Sequence, residues 1–438
     1  MENQVFLLIL GSIIFFVTAI NPFLILPVFI IGSYIEFMLY FPRLVQYNPT
    51  VILGIIVLSA WIFHLVIYRD LPPTKSKQIL IIWVFILWTF CNSLVHRDSS
   101  LEAFIDFLRM LIPYFFFAYI VKTRKQMSII VWVLLIIGTI TALYGIYQLK
   151  SNIGVYDRGV KRIVSFMDNP NAFGNSLTIL VPLALGLLFY RKHKFFMKGI
   201  ILAILACFIA GIVISFSRGC FIGLLLGIFF SVAKFFRRSK KVFAFMATFC
   251  LLLVIIYLFP DRQKYILWAR LRTIIRADSV ETIDMGRTET AKAGLQIMRE
   301  KPIFGVGLAG FTNEYFRLAS ESPDIKVVSK DALVPHNLYI QVGSSLGIPG
   351  LALYLLLVLF VFKDLRAAER KFRLKNDGLL MNISMAFQIM IMVFLISGFF
   401  GGALMKKIFW ILAPLAIALK RISPQEGQKE LLKIKHER

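Results

Sequence analysis

The sequence predicts an all-α integral membrane protein of about 12 to 13 transmembrane helices, with one large extracytoplasmic loop containing amphipathic helices. Three observations predict it. Hydrophobic residues make up 58% of the 438, Phe alone accounts for 42, and only 17% are charged; mean hydropathy is +0.77. Apolar runs long enough to cross about 30 Å of hydrocarbon, roughly 17 to 25 residues each, follow one another along the chain. The basic residues behind the net charge of +25 gather between those runs, not on a soluble face, which excludes a nucleic-acid-binding surface. Backbone polar groups in lipid need internal partners, so the runs are read as helices.

In order, the runs are 5–20, 22–41, 50–68, 79–95, 102–121 and 127–149, then 171–190, 196–216, 219–236, 241–259, 337–362, 379–400 and 404–420. The first two meet at Asn21-Pro22, and 102–121 carries Asp106, Arg109 and Pro113, which leaves the count open by one. The organisation expected is 1–149, N-terminal transmembrane helices; 150–260, central helices with outer-face motifs; 261–335, the large loop; 336–420, C-terminal helices; and 421–438, a basic cytoplasmic tail. Met1-Glu2-Asn3-Gln4 lacks a positive n-region and no small-residue cleavage site follows, so the first run is read as retained. Cys91, Cys207, Cys220 and Cys250 lie in or at the ends of runs, without metal-ligand spacing, and are read as packing residues.

Orientation follows from the connections. Lys122, Arg124 and Lys125; Arg191, Lys192 and Lys194; Lys234, Arg237, Arg238, Lys240 and Lys241; and Lys363, Arg366, Arg370, Lys371, Arg373 and Lys375 occupy alternate ones. By the positive-inside rule that side is cytoplasmic, as is the tail from Lys420, with Lys406 and Lys407 a local exception outside. Three polar punctuations then fall on the outer side: Met167 to Asn171, Ser215 to Gly219, and Pro335-His336-Asn337. Polar groups are costly at membrane helices, so their agreement on one face points to a single site there.

The connection from Pro260 to Pro335 mixes about twelve basic with about ten acidic residues, unlike the inner ones, and is read as a folded lid. Tyr265 to Arg276 sets Leu267, Leu271, Ile274 and Ile275 on one face, away from Arg270, Arg272 and Arg276, as an interfacial helix would. A second helix is expected over Thr288 to Lys301, with Ala291, Gly294, Leu295 and Met298 as its apolar stripe and Pro302 ending it. Gly305, Gly307 and Gly310 follow it as a turn. No strand precedes them and they close a helix, so they do not make a dinucleotide-binding loop.

These motifs carry a resemblance. Arg162 through Asn171, the Ser217-Arg218-Gly219 helix start, Gly286-Arg287 with an amphipathic helix and Pro302-Ile303-Phe304-Gly305-Val306-Gly307, and His336-Asn337-Leu338-Tyr339 ahead of Gly347-Ile348-Pro349-Gly350 occur in one order around one large outer loop. So arranged, the chain resembles the O-antigen ligase and polymerase family of bacterial envelope glycan assembly. The resemblance implies a multi-pass enzyme of the cytoplasmic (inner) membrane with its active site on the extracytoplasmic face. Such an enzyme needs no metal or other cofactor. It moves a glycan from an undecaprenyl pyrophosphate carrier to a hydroxyl of a glycan or lipid-linked acceptor and inverts the anomeric centre. Its partners would be that donor, that acceptor and membrane lipids, with no nucleic acid.

The residues suit that chemistry. A pyrophosphate leaving group needs a divalent metal or fixed cations and oriented amides. Arg218 at a helix N-terminus, with Ser217 as a cap, combines a guanidinium with the positive end of a helix dipole. Arg287 is the candidate for the opposing clamp. The bland alternatives are a headgroup anchor for Arg218 and a lid ion pair with Asp284 or Glu289 for Arg287. His336, at an outer helix mouth, is the candidate base, since an unperturbed imidazole titrates near about 6.5; a hydrogen-bonded helix cap is the alternative. Asn171 and Asn337 are candidates for holding sugar hydroxyls. Arg162 is a candidate contact to the carrier or glycan, or a solvated loop charge. Asn169, Pro170 and Asn171 alternatively read as a plain helix start, and Gly305, Gly307 and Phe311 as shape residues. Glu281 and Asp284, the nearest approach to an outer acidic pair, read as a polar lid face. The competing class is a transporter or flippase of lipid-linked glycans, which would place charge in midspan and show repeated halves; only Glu36, Asp106 and Arg109 are candidates for such charge.

Overall fold

The computed structural model describes residues 2–35, 49–68, 76–157, 160–235, 285–321, 325, 327, 334–401 and 407–422. Among them the chain is an all-α membrane protein: α1 (Glu2–Ile20), α2 (Ile25–Tyr34), α3 (Pro49–Tyr68), α4 (Lys77–Val95), α5 (Arg97–Ile120), α6 (Arg124–Lys150), α7 (Pro170–Leu188), α8 (Phe195–Ile214), α9 (Arg218–Phe235), α10 (Met285–Glu300), α11 (Phe311–Glu321), α12 (Leu338–Leu374), α13 (Gly378–Ser397) and α14 (Lys407–Arg421). The one sheet among these residues is a hairpin of β1 (Val155–Asp157) and β2 (Val160–Arg162), antiparallel with Val155 opposite Arg162. Among the described residues, eight helices are long and apolar enough to cross a membrane: α4, α5 from Ser100, α6, α7, α8, α9, α12, and α13 with its following turn. Shorter apolar helical stretches occur at Gly11–Ile20, Pro22–Tyr34 and Gly54–Tyr68. The run 241–259 and the helix expected over 265–276 lie outside the described residues, as do Glu281, Asp284 and the tail beyond Ile422.

Local chemistry sets the helix ends. Asn21 accepts from the Phe23 amide and, with Pro22, turns the chain between α1 and α2. Thr123 and Gln126 form a reciprocal capping box on α6. Asn169 caps α7, with Pro170 at its first position, where a missing N–H costs nothing. The buried layer is formed mainly by α7, which packs against α8, α9 and α13, and by α12 against α5's neighbours α4 and α14.

Two expectations change. The run 337–362 is neither one straight helix nor the end of one. At Gly347 the backbone turns to φ 72°, ψ 179°, dividing α12 into a short outer piece and a long inner one that continues to Leu374. The basic residues Lys363 to Arg373 therefore ride on a helix. Hydropathy falls after Phe362, but Leu365, Ala368 and Phe372 remain fully buried at helical spacing, so the inner stripe continues. In the loop helix α10, the buried stripe is Ala293, Gly294 and Ile297, rotated from the one expected, and Leu295 is 48% exposed. The rotation follows from α10 lying between α11 and α12: Ala293 and Ile297 join Val306, Phe311, Tyr315 and Leu318 in a second core, while Gly294 meets α12.

The break at Gly347 joins two motifs. A helix interrupted there leaves carbonyls without their usual partners, and the segment after α10 supplies them. Val306 N donates to Ser344 O at 2.9 Å and Gly307 N to Ser345 O at 3.0 Å, while Ile348 N donates to Pro302 O at 2.7 Å. A Cβ on Gly347 would lie 1.9 Å from Ile303 O, and one on Gly305 would lie 2.3 Å from Ser344 O, so both positions need glycine for space as well as for positive φ. From α4, Trp88 Nε1 donates to Leu346 O at 2.9 Å, and the Asn92 amide donates to Phe304 O. The outer piece of α12 is thus held by the loop and by α4.

On α11, burial alone would raise the Glu314 carboxyl pKa, but hydrogen bonds from Arg317 and Lys301 outweigh it and hold it below the usual range. Arg317 also reaches Glu300 on α10 at 2.6 Å, tying the two loop helices together.

Candidate active site

The site is built where the starts of α7, α9 and α12 gather at one end of the bundle. Arg162, at the end of β2, is only 6% exposed; its Nε donates to Ser215 O at 3.1 Å and its Nη2 to Asn171 Oδ1 at 2.9 Å. One guanidinium thereby ties the hairpin to the first turn of α7 and to the end of α8. It is not a solvated loop charge: a buried cation demands such partners. The strap leading to α7 is held by Gln148, whose Oε1 accepts from Ser165 N at 2.8 Å and whose Nε2 donates to Ser165 O at 3.2 Å.

Gly174 lets α7 approach the turn between α8 and α9, since a Cβ there would sit 2.5 Å from Ser215 Oγ and 2.7 Å from Cys220 Sγ. The turn reverses at Phe216, with φ 49°. Buried Ser217 takes the cap position, its carbonyl accepting from Phe221 N at 3.1 Å, and half-buried Arg218 is the first residue of α9. Arg218 thus stands at the helix end that carries the first-turn amides, a position suited to an anion.

The turn Gly398–Phe400, after α13, links α9 to α12. A Cβ on Gly219 would meet Phe400 Cβ at 2.9 Å, and one on Gly398 would meet Leu338 Cβ at 3.0 Å. Tyr339 OH donates to Leu395 O at 3.1 Å and its ring lies 4.6 Å from that of Phe399. Asn337 caps α12, its Oδ1 accepting from Tyr339 N at 2.9 Å and Ile340 N at 3.2 Å. That oxygen is therefore committed to the helix, and only the Asn337 amide nitrogen suits a sugar oxygen. His336, one residue earlier, is exposed, between buried Pro335 and the cap. The role of helix cap belongs to Asn337.

Arg287 lies in the first turn of α10, which runs alongside α12: Gly294 would meet Ile340 Cγ2 at 2.3 Å and Pro335 Cγ at 3.7 Å, and Gly343 would meet Met298. Arg287 is two turns, about 10 Å, before Gly294, on the stretch of α10 that leads past Pro335. Glu289, named as its alternative partner, accepts from Lys292 at 3.0 Å.

The structure thus gathers Arg162, Asn171, Ser217 and Arg218 around the α8–α9 turn, sets Asn337 and His336 across Gly398–Phe400 from them, and attaches Arg287 through α10. Sequence reading missed Ser215 as the carbonyl that Arg162 seeks, the 398–400 turn as the link, and Trp88 and Asn92 as supports of the α12 break. The nearest signal was Ser215's place within the second punctuation. Among the described residues no group of three or more His, Cys, Asp or Glu is placed to hold a metal.

The opposite end of the bundle holds most of the basic connections. Arg421 donates to Tyr119 O and Val121 O, Arg124 pairs with Asp377 at 3.1 Å, and Lys420 pairs with Asp364 at 2.6 Å. Lys234 meets Glu369 at 3.0 Å, with Gln388 on the same carboxylate.

Residues 201–355 match the model of the family described as O-antigen ligase. The resemblance to the O-antigen ligase and polymerase superfamily holds. The matched segment runs from α8 through the loop to the inner piece of α12, and includes Ser217, Arg218, Arg287, His336 and Asn337 as well as the hydrogen bonds that join 302–307 to 344–348. Arg162 and Asn171 lie outside it, joined to it by the hydrogen bond to Ser215. The match supports a membrane glycosyltransferase of the O-antigen ligase or polymerase type. A search of curated proteins found no match.

Proposed function

We propose that the chain transfers a glycan from undecaprenyl pyrophosphate to an acceptor hydroxyl on the extracytoplasmic face, with inversion and without a metal. The observation carrying this reading is the gathering of three helix starts, with Arg218 at one and His336 and Asn337 at another, at the end of the bundle away from the basic connections. His336 takes the proton of the acceptor hydroxyl as its oxygen bonds to the anomeric carbon. The bond from that carbon to the phosphate oxygen breaks on the opposite side, which inverts the centre. The carrier pyrophosphate leaves with the electron pair, its charge met by Arg218, Arg287 and the first-turn amides of α9. Arg162 and Asn171 hold the α8–α9 turn and so fix Arg218.

Purified protein given lipid-linked donor and acceptor in EDTA should form glycosylated product. A requirement for Mg²⁺ or Mn²⁺, restored on adding the ion back, would refute the metal-free reading. Product size divides the family's two reactions: one added block means ligation, a ladder means polymerisation.

The orientation has its own test. Single cysteines at Ser279 and Ser322 should react with an impermeant thiol reagent in intact cells, and those at Lys192 and Asn376 only after permeabilisation. Ser279 labelled only from the cytoplasm would remove both the orientation and the site.

A further inference from the structure

At the end of the bundle away from Arg218, where Arg421 is bound to Tyr119 O and Val121 O, a cavity of ≈ 150 Å³ lies between the α1–α2 turn, α3, the end of α5 and the start of α6. Its polar lining comes from Asn21, His64, Lys122 and Gln126, and Trp61 and Tyr119 form an aromatic wall. The rings of that wall stack at 5.8 Å.

The hydrogen bonds around the cavity give it a sign. Asn21 Oδ1 accepts from Phe23 N at 3.2 Å, and Gln126 Oε1 accepts from the amides of Lys122 at 2.8 Å and Thr123 at 3.0 Å. Both side-chain oxygens are committed to backbone amides, so what these residues offer a ligand is N–H. His64 Nδ1 lies 2.8 Å from Ala19 O and spends its N–H on that carbonyl, so the ring adds no donor for a ligand, whereas Lys122 adds an ammonium. Two side-chain amide N–H groups and one ammonium suit an anion with several acceptor oxygens. Ile20, part of the lining, is 71% exposed, and Leu24, Ile62 and Val66, each next in sequence to a lining residue, are exposed too, an apolar rim suited to acyl chains.

We propose that this cavity binds the phosphate diester of a membrane phospholipid headgroup, with its acyl chains along the rim. The same phosphate chemistry is available from free inorganic phosphate, which the rim would not help to bind.

Native mass spectrometry of the full chain, titrated with phosphatidylglycerol or with diacylglycerol of the same acyl chains, tests this. Phosphatidylglycerol should be retained and diacylglycerol should not. Lys122→Gln should weaken retention roughly tenfold, the scale of losing one charge-assisted hydrogen bond, and Lys122→Arg should restore most of it. Lys125→Gln, which removes an exposed charge one turn away and outside the lining, should change little. Equal retention of diacylglycerol, or equal losses in Lys122→Gln and Lys125→Gln, would overturn the site. Displacement of the lipid by millimolar inorganic phosphate in the parental chain would overturn the lipid as its occupant.

Discussion

His336→Ala is expected to insert, fold and bind the lipid-linked donor as the parental chain does, while transferring glycan roughly 10²- to 10⁴-fold more slowly, the usual contribution of a positioned general base. The structure makes this substitution unusually interpretable. His336 is exposed, so truncating it opens no cavity, and Asn337 holds the first amides of α12, so the helix keeps its cap. A rate loss therefore cannot be assigned to a lost helix start. An alcohol is a poor nucleophile near neutral pH, and even a good pyrophosphate leaving group does not remove the need to take its proton. The measurement is turnover at saturating donor and acceptor, beside donor binding and thermal unfolding of the same preparation. Parental turnover from a well-folded variant would send the search for the base elsewhere.

What the sequence made legible was governed by how local the signal was. Long apolar runs and some of their caps are local: Asn169 with Pro170 announces a helix start from side-chain chemistry alone, and the apolar run from 337 announces another; the structure starts helices at both places, but at the second Asn337 is the cap and not His336. The two amendments have non-local causes. Gly347 is visible in the sequence as the first residue of a Gly-Ile-Pro-Gly motif, but its left-handed backbone makes sense only beside Pro302 to Gly307, some forty residues earlier, where the Val306 and Gly307 amides take over carbonyls of the broken helix. Leu295 looked like a core residue by hydropathy, yet the face of α10 that is buried is the one with Gly294, because close approach to Ile340 needs a small residue more than it needs apolar area. Arg162 shows the same limit at the site. Its charge and its neighbourhood to Asn171 were visible, but its burial and its bond to Ser215 O come from the packing of β2 against the end of α8.

The charge of the leaving group gives the second large effect. Arg218→Lys is expected to lower turnover roughly 10- to 100-fold with donor affinity less affected, and Arg218→Ala to lower it further, toward the 10²- to 10³-fold typical of removing an oxyanion donor. The reasoning is geometric. Arg218 opens α9, where first-turn amides already point outward, and a planar guanidinium can place two parallel N–H groups on one phosphate beside them. An ammonium keeps the charge but makes no such fork, so the pyrophosphate oxygens that gain charge as the bond breaks lose a fixed donor. A lipid-headgroup anchor would behave otherwise, because lysine snorkels as well as arginine. Arg287→Lys should act in the same direction if α10 delivers it as the opposing clamp, and its turn of helix is spared because the substitution keeps a good helix former. The decisive contrast is between rate and binding: both lysine variants should still hold the donor, yet release pyrophosphate carrier slowly in single-turnover experiments. Full activity in both would reduce these arginines to interfacial anchors and leave the leaving group's charge to be met by another cation.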